Sequence, residues 1–498
     1  LVKERLWNAM TQQNRSFAIP FHSGDGLGCN YYRIPALITT QQGVTIAAMD
    51  ARFGGLHDSP NNLDTALSLS NDCGKTWSKP TLPFHLVDYA DSDARLPLRN
   101  GAMATKPSAS TIDPCLLEDR ETGRIFLLVD MFPGGFGSLQ AKTGSGYAQI
   151  GGEACLRLRK KGSLSFRYYV RPDGMICSQD GQPTAYSLNA EYELLENGKP
   201  LFVRQRRAIV GKTLVRTKKT DIKVPMHLFY ADSLFQAEKT SYLFLRYSDD
   251  QGKTWSSPIS LNAMVKSPDM RVLVTGPGCG VQLRGGEHAG RLLFPVYHVT
   301  AGFREQSCMV IYSDDHGGTW HLGGGPRYGR EIGMMSESQL VELPDGSVQV
   351  FARTKAGRVA TAHSADGGIT WSDGALVPGL PLAGGSGCQL SAIRYGGCID
   401  GKPAVLVSAP AGPGRKHGMV HIGLIDRKEG AAAPYTFAWN YHFAITGPEQ
   451  SFAYSCLTQL PDDRIGILYE EIDQAQSVDT TRFEAISMET LLAEKDSL

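Results

Sequence analysis

No stretch of this chain approaches the ~20 consecutive apolar residues that a membrane-spanning helix needs. Neither sign of charge is in excess. Lys and Arg number 50 against 50 Asp and Glu, so no global field points to nucleic acid or to a membrane surface as partner. The ten cysteines include no C-x-x-C pair and the histidines no H-E-x-x-H spacing, which argues against a metal centre. At this density the cysteines leave the redox compartment open. Low-complexity segments are absent. The start, from Leu1 to Trp7, shows neither an initiator Met nor a signal-peptide pattern, as expected of a processed or excised chain.

Glycine is abundant at 55 residues, as a turn-rich β protein requires. Against that background one pattern, S-x-D-x-G-x-T-W, occurs four times, at 70–77, 248–255, 313–320 and 364–371. Five fixed positions repeated four times define an internal repeat rather than four unrelated surface turns. Asp is expected to accept from backbone N–H groups two residues on, closing a tight turn from inside, Gly supplies a positive φ, and Trp anchors the turn by burying its ring. The later repeats start about 65 and 51 residues apart, near the ~40–50-residue period of propeller blades. Each is read as a structural turn between antiparallel strands, not as a catalytic site.

In chain order, residues 1–15 are expected to form a linker or short helix. Strands are predicted around Ser16–Phe21, from Asn30 to Ile38, and over Val44–Met49. Arg33 is the one charge in its strand and needs a partner or a ligand. Pro35 suits a sheet edge or the start of a strand. The strand ending at Met49 empties into a loop carrying Arg52, His57 and Asp58. From 139 to 223 the character shifts, with 16 Lys and Arg against 7 Asp and Glu and hairpin-like Asp-Gly and Asn-Gly turns. This predicts a small inserted β domain at 139–223, which also explains the gap of about 178 residues between the first two repeats. Its basic excess is read first as a solvated face, and second as a means of drawing in anions. Blade rhythm fills 16–138 and 224–498, and the tail from Met488 to Glu494 reads as a closing helix.

Tyr32-Arg33-Ile34-Pro35 followed by four such repeats resembles the bacterial and animal sialidases, in which the repeats are called Asp-boxes. The resemblance covers nearly the whole chain and is strongest to the larger bacterial exo-sialidases. It implies an all-β fold, a six-bladed β-propeller with a small inserted β domain. It also implies three arginines gripping a substrate carboxylate: Arg33, Arg353 in Val350-Phe-Ala-Arg-Thr354, and Arg415 in Gly412-Pro-Gly-Arg-Lys-His-Gly418. Each taken alone would more often be a surface ion pair, but guanidinium forks match a carboxylate in bidentate fashion. By the same resemblance the acid/base catalyst falls on Asp58, with Arg52 orienting it or touching the sugar. The nucleophile falls on Tyr454 in Ser451-Phe-Ala-Tyr-Ser455, and its partner on Glu337 in Met335-Ser-Glu-Ser-Gln339. Sialidases are the glycosidases with a Tyr nucleophile. A phenol with an ordinary pKa near ~10 needs such a neighbouring base. Ile112 and Asp113 would line the pocket for the N-acetyl and nearby groups, and Tyr297 would close it near the anomeric centre. No metal or organic cofactor is implied.

The expected activity is retaining hydrolysis of terminal sialic acid from sialylated glycans, by a secreted or cell-surface protein taken as a monomer. Two rivals stand beside it. One uses the same site to pass the sialyl group to its own glycerol hydroxyl, or to eliminate it, and calls for a bulky hydrophobic wall. Four of the six Trp are spent on the repeats, leaving Trp7 and Trp439, neither in an obvious site loop, although Tyr or Phe could serve. The other is a non-catalytic glycan- or protein-binding propeller, which has no need of the Tyr454 and Glu337 pair.

Overall fold

The computed structural model describes residues 16–22, 25–29, 31–90, 107–210, 215–300, 306–428, 434–471 and 481–493. The expected N-terminal linker or helix at 1–15, with Trp7, lies outside them. The fold is all-β. The only helices among the described residues are the single turns Asn262–Val265 and Met488–Leu491 and a 3-10 turn at Ser138–Gln140.

The first strand, Tyr31–Thr39, starts an antiparallel run with Thr45–Arg52, Leu63–Ser70 and Thr81–Phe84. A second run, Ser110–Asp119, Arg124–Phe132, Tyr242–Ser248 and Ile259–Ser260, joins it through the single pair Leu63 and Ser110. Further sheets begin at Met270–Thr275, Ser338–Glu342, Ser391–Ile399 and Ser455–Gln459. Successive sheets touch in turn, with Leu292–Thr300 meeting Ser338–Glu342, and Ser455–Gln459 meets Tyr31–Thr39 again, so the sheets form a propeller-like ring. Ala18 pairs with Phe483 on the outer edge of the last sheet, so segments from the two ends of the chain share one sheet. Inner strands such as Ser338–Glu342 are buried along their whole length, because neighbouring sheets cover both faces.

Between Arg124–Phe132 and Tyr242–Ser248, which pair directly, the chain makes an excursion. It builds an eight-stranded sheet from Tyr147–Ile150 to Lys199–Pro200, completed by Phe235–Ala237, and a ribbon of Phe202–Val210 with Val215–Pro225. Leu158, Ile176 and Phe235 of this excursion share one apolar core with Leu127 and Phe244 of the ring, so the two are packed together rather than tethered. Part of the basic excess is neutralised locally: Lys161, Arg206 and Lys219 all meet Asp232.

The four repeated turns share one bonding scheme. In the first, Ser70 Oγ donates to Asp72 Oδ1 at 2.9 Å and accepts from Gly74 N at 2.9 Å. Asp72 takes the N–H and hydroxyl of Thr76 at 2.9 and 2.6 Å. The carboxylate therefore closes the turn four residues on, not two. Gly74, Gly252, Gly317 and Gly368 all have positive φ, between 79° and 95°. Trp320 is almost wholly buried between Phe126 and Phe294.

The Thr76 bonds hold Asp72 at a pKa of about 2, below the ordinary 3.8. A lowered carboxylate pKa stabilises the fold above the unfolded value, and that contribution is lost as pH falls from about 3.8 through about 2. Asp72→Ala is expected to cost about 1 kcal/mol in urea titrations at pH 7. The difference from the unsubstituted chain should shrink towards pH 2; a gap independent of pH would contradict this account.

Candidate active site

Backbone irregularities aim the site residues. The strand Tyr31–Thr39 slips register between Arg33 and Ala36, with Ile34 at φ 61° followed by Pro35. The strand Ser110–Asp119 does the same between Ile112 and Cys115, with Asp113 at φ 62° followed by Pro114. Pro has no N–H to give the ladder, and a bulge re-aims the side chains beside it. In both strands the residues so displaced are the ones that face the cleft. Tyr454 and Glu337 immediately precede the inner strands Ser455–Gln459 and Ser338–Glu342, and Arg353 follows Val348–Ala352.

Nine of the ten residues singled out from the sequence line one cleft of about 220 Å³: Arg33, Asp58, Ile112, Asp113, Tyr297, Glu337, Arg353, Arg415 and Tyr454. The tenth, Arg52, is buried behind it.

At the centre the Tyr454 hydroxyl donates to Glu337 Oε1 at 2.6 Å. Arg353 Nη1 donates to Glu337 Oε2 at 2.6 Å and to the Tyr454 hydroxyl at 3.0 Å. Burial, then the Glu337 charge, push the phenol pKa well above its ordinary value, against Arg353 and Arg415. The phenol is therefore neutral at rest, with its acceptor already in place. Arg33 and Arg415 lie over the Tyr454 ring, 5.5 and 5.3 Å from its centroid.

Facing this group, Asp58 carries a 67% exposed side chain, bonded to Arg52 Nη1 at 2.8 Å and 3.7 Å from Arg33 Nη1. Desolvation would raise its pKa, but Arg52 and then Arg33 hold it below the ordinary carboxylate value. Its loop is braced by Asn61, which donates to the carbonyls of Gly55 and His57. One side of the cleft is apolar: Ile112, Phe132, Val274 and Tyr297 belong to a single cluster. Trp439 lies elsewhere, packed on Phe351 and Phe437.

Several residues that position this group were not legible beforehand. Glu470 accepts Arg33 Nε and Nη2 at 3.2 and 3.1 Å and the Ile34 N–H at 2.7 Å. Asp50 takes Arg52 Nη2 at 2.6 Å on one oxygen and the Asp113 N–H at 2.9 Å on the other, tying the two flanks together. Burial, offset by Arg52, pushes Asp50 up to about 7. Burial and the charge of Asp50 push the Asp113 carboxyl well above the ordinary range. The consecutive carbonyls of Ser386 and Gly387 accept from Arg353 and Arg415. Gly387 has φ 70°, and a Cβ there would lie 2.2 Å from the Thr354 carbonyl, so only glycine fits. The available signals were Arg33's need for a partner and the Asp50–Arg52 spacing, which puts both side chains on one face of a strand. Among the described residues no group of three or more His, Cys, Asp or Glu is placed to hold a metal ion.

Residues 206–393 match the BNR repeat-like domain. The chain is 39% identical over 490 residues to the anhydrosialidase of Macrobdella decora, covering 95% of this chain and 62% of that protein. It is 36% identical over 464 residues to sialidase B of Streptococcus pneumoniae, covering 92% and 64%. The chain thus spans a little under two thirds of the length of these curated relatives. Among solved structures, the intramolecular trans-sialidase from Ruminococcus gnavus superposes with a TM-score of 0.89 at 38% identity, covering 95% of this chain and 98% of that one.

Glu470→Gln should destabilise the protein by roughly 3 kcal/mol in denaturant unfolding, because it leaves the Arg33 charge uncompensated in a largely buried place. Adding Arg33→Met should restore much of that loss. Additive losses in the double variant would show that the pair is not energetically coupled.

Proposed function

The chain belongs to the sialidase family, and from that premise we propose that it releases terminal sialic acid from glycans through a covalent bond to Tyr454. The observation that carries this reading is the 2.6 Å hydrogen bond from the buried phenol to Glu337, set between arginines and opposite Asp58. A module that only binds glycans has no use for that pair. Arg33, Arg353 and Arg415 take the substrate carboxylate. The Tyr454 oxygen bonds to the anomeric carbon as its proton passes to Glu337. The glycosidic bond breaks, and the leaving oxygen takes the Asp58 proton. In the second half Asp58 removes the proton of an acceptor hydroxyl, whose oxygen displaces Tyr454, and the phenol recovers its proton from Glu337. Two inversions give net retention. A phenol suits this substrate because a carboxylate nucleophile would be repelled by the sugar's own carboxylate.

The acceptor is read as the sialyl group's own glycerol hydroxyl. Two of the proteins similar to this chain at 38–39% identity are named an anhydrosialidase and an intramolecular trans-sialidase. The Ile112, Phe132, Val274 and Tyr297 wall supplies apolar surface without tryptophan. Water as acceptor, the expectation from sequence, is the second reading, favoured by the openness of the cleft at Asp58. We further read the ring as a six-bladed propeller, its last blade completed by the Ala18 segment, and the excursion from 139 as an inserted domain whose sheet runs on to Ala237.

Binding should also arm the acid. In the free protein Arg52, Arg33 and Arg415 lower the Asp58 pKa; a substrate carboxylate that engages Arg33 and Arg415 weakens their share of this field and lets Asp58 take up a proton more readily. A general acid is active when protonated, so the rate falls as pH rises through its pKa. The profile of kcat/KM reports the free enzyme and that of kcat the complex. The basic limb of kcat should therefore lie at higher pH than that of kcat/KM; coincident limbs would contradict this coupling.

NMR of the products from 3′-sialyllactose gives the second check. An anhydro sugar is expected as the first product, whereas free sialic acid appearing first as the α-anomer would assign water as acceptor. Tyr454→Phe should lower kcat by ~10³-fold or more while substrate binding stays within a few-fold. Unimpaired turnover in that variant would remove Tyr454 from the mechanism.

A further inference from the structure

The inner strands have two ends, and only one reaches the catalytic cleft. Arg33 and Thr39, Asp113 and Glu118, Glu337 and Glu342, and Tyr454 and Gln459 are pairs at opposite ends of the same inner strands. The six residue steps from Arg33 to Thr39 span about 20 Å. At that far end the ring encloses a second, larger cavity of about 760 Å³.

Three arginines line it: Arg120, Arg284 and Arg394. The carboxylates that could neutralise them are committed elsewhere. Glu118 accepts the Gln41 N–H at 2.9 and 3.1 Å and keeps only a 3.5 Å contact with Arg120. Glu342 Oε1 accepts the N–H groups of Arg284 and Gly285 at 2.7 and 2.8 Å. The remaining acid of the lining, Asp463, accepts the Gln459 amide at 3.2 Å. Among the described residues the guanidinium groups of Arg284 and Arg394 make no hydrogen bond or ion pair. Desolvation in the concavity, then repulsion from Arg120 and Arg394, lower the Arg284 pKa, although Glu342 and Glu118 pull the other way. Like charges are thus gathered in one concave mouth and left without full compensation. The half-buried Tyr395 adds an aromatic ring to the same lining.

We propose that this cavity binds an acidic saccharide, its carboxylate or sulfate groups taken by Arg120, Arg284 and Arg394 and a sugar ring laid against Tyr395. Guanidinium forks match planar or tetrahedral oxyanions through paired N–H bonds. A cavity of this size falls in the range of small-ligand sites and exceeds what one inorganic anion fills. An aromatic face beside the cations suits the C–H face of a pyranose. The site is separate from the cleft, and its occupancy does not depend on the reaction proposed there.

The test is calorimetric titration of the full chain with a sulfated uronic-acid disaccharide, inorganic sulfate and lactose. Saturable binding of the acidic disaccharide is expected, tighter than that of sulfate, with none of lactose. Raising the salt concentration should weaken it. The double variant Arg284→Ala with Arg394→Ala should lose roughly tenfold or more in affinity at an unchanged melting temperature. Tyr395→Ala should weaken the disaccharide and spare sulfate. Disaccharide binding no tighter than that of sulfate would remove the saccharide from the proposal. Undiminished binding by the double variant would place the ligand in the catalytic cleft and overturn the second site.

Discussion

Four guanidinium groups gathered around one cleft repel one another, and the surrounding structure exists to hold them there. Two like charges 4 Å apart near a protein surface repel by on the order of 4 kcal/mol. Three of the four each have a buried carboxylate beside them, Arg33 with Glu470, Arg353 with Glu337 and Arg52 with Asp50, and Asp58 lies against both Arg52 and Arg33. Arg415 is held instead by the Gly387 carbonyl and the face of Tyr454. These partners come from different sheets, so the charge pattern can be assembled only where several sheets converge. The ring provides that convergence, and the bulges at Ile34 and Asp113 turn the side chains inward.

The same electrostatics sets the protonation states that the chemistry needs. Glu337 is shared between Arg353 and the phenol, so one carboxylate both fixes a cation and waits for a proton. Asp58 is exposed and under the influence of Arg52 and Arg33, whereas the buried Asp50 and the half-buried Asp113, a few residues or one strand away, are pushed the other way. Carboxyl groups of one chemistry thus shift in opposite directions, because two arginines outweigh desolvation at Asp58 while desolvation outweighs Arg52 at Asp50 and meets only further carboxylates at Asp113.

Much of this was legible in the sequence. The four S-x-D-x-G-x-T-W turns mark strand ends by local chemistry alone, since Ser, Asp, Gly and Thr bond one another within seven residues. Arg33, Arg353, Arg415, Glu337 and Tyr454 were findable because each sits in a distinctive short motif. Glu470 was not, because its role rests on a contact across 437 positions that nothing local announces. Asp50 resembles any strand carboxylate until its two neighbours are seen. The excursion was visible as a shift in charge, but its return strand Phe235–Ala237 was not, because three residues carry no periodicity.

The pairing of Arg33 with Glu470 also bears on how the protein is made. The residue that steadies the first arginine is translated 437 positions after it. At ~5–20 residues per second, the arginine waits roughly 20 to 90 seconds for its partner to be made. The Ala18–Phe483 pairing that ties the two ends together arrives later still. A nascent chain can therefore stack its early sheets in sequence, but Arg33 stays without its buried partner until Glu470 has emerged. A chain that stops before Glu470 lacks the carboxylate that holds Arg33 in place.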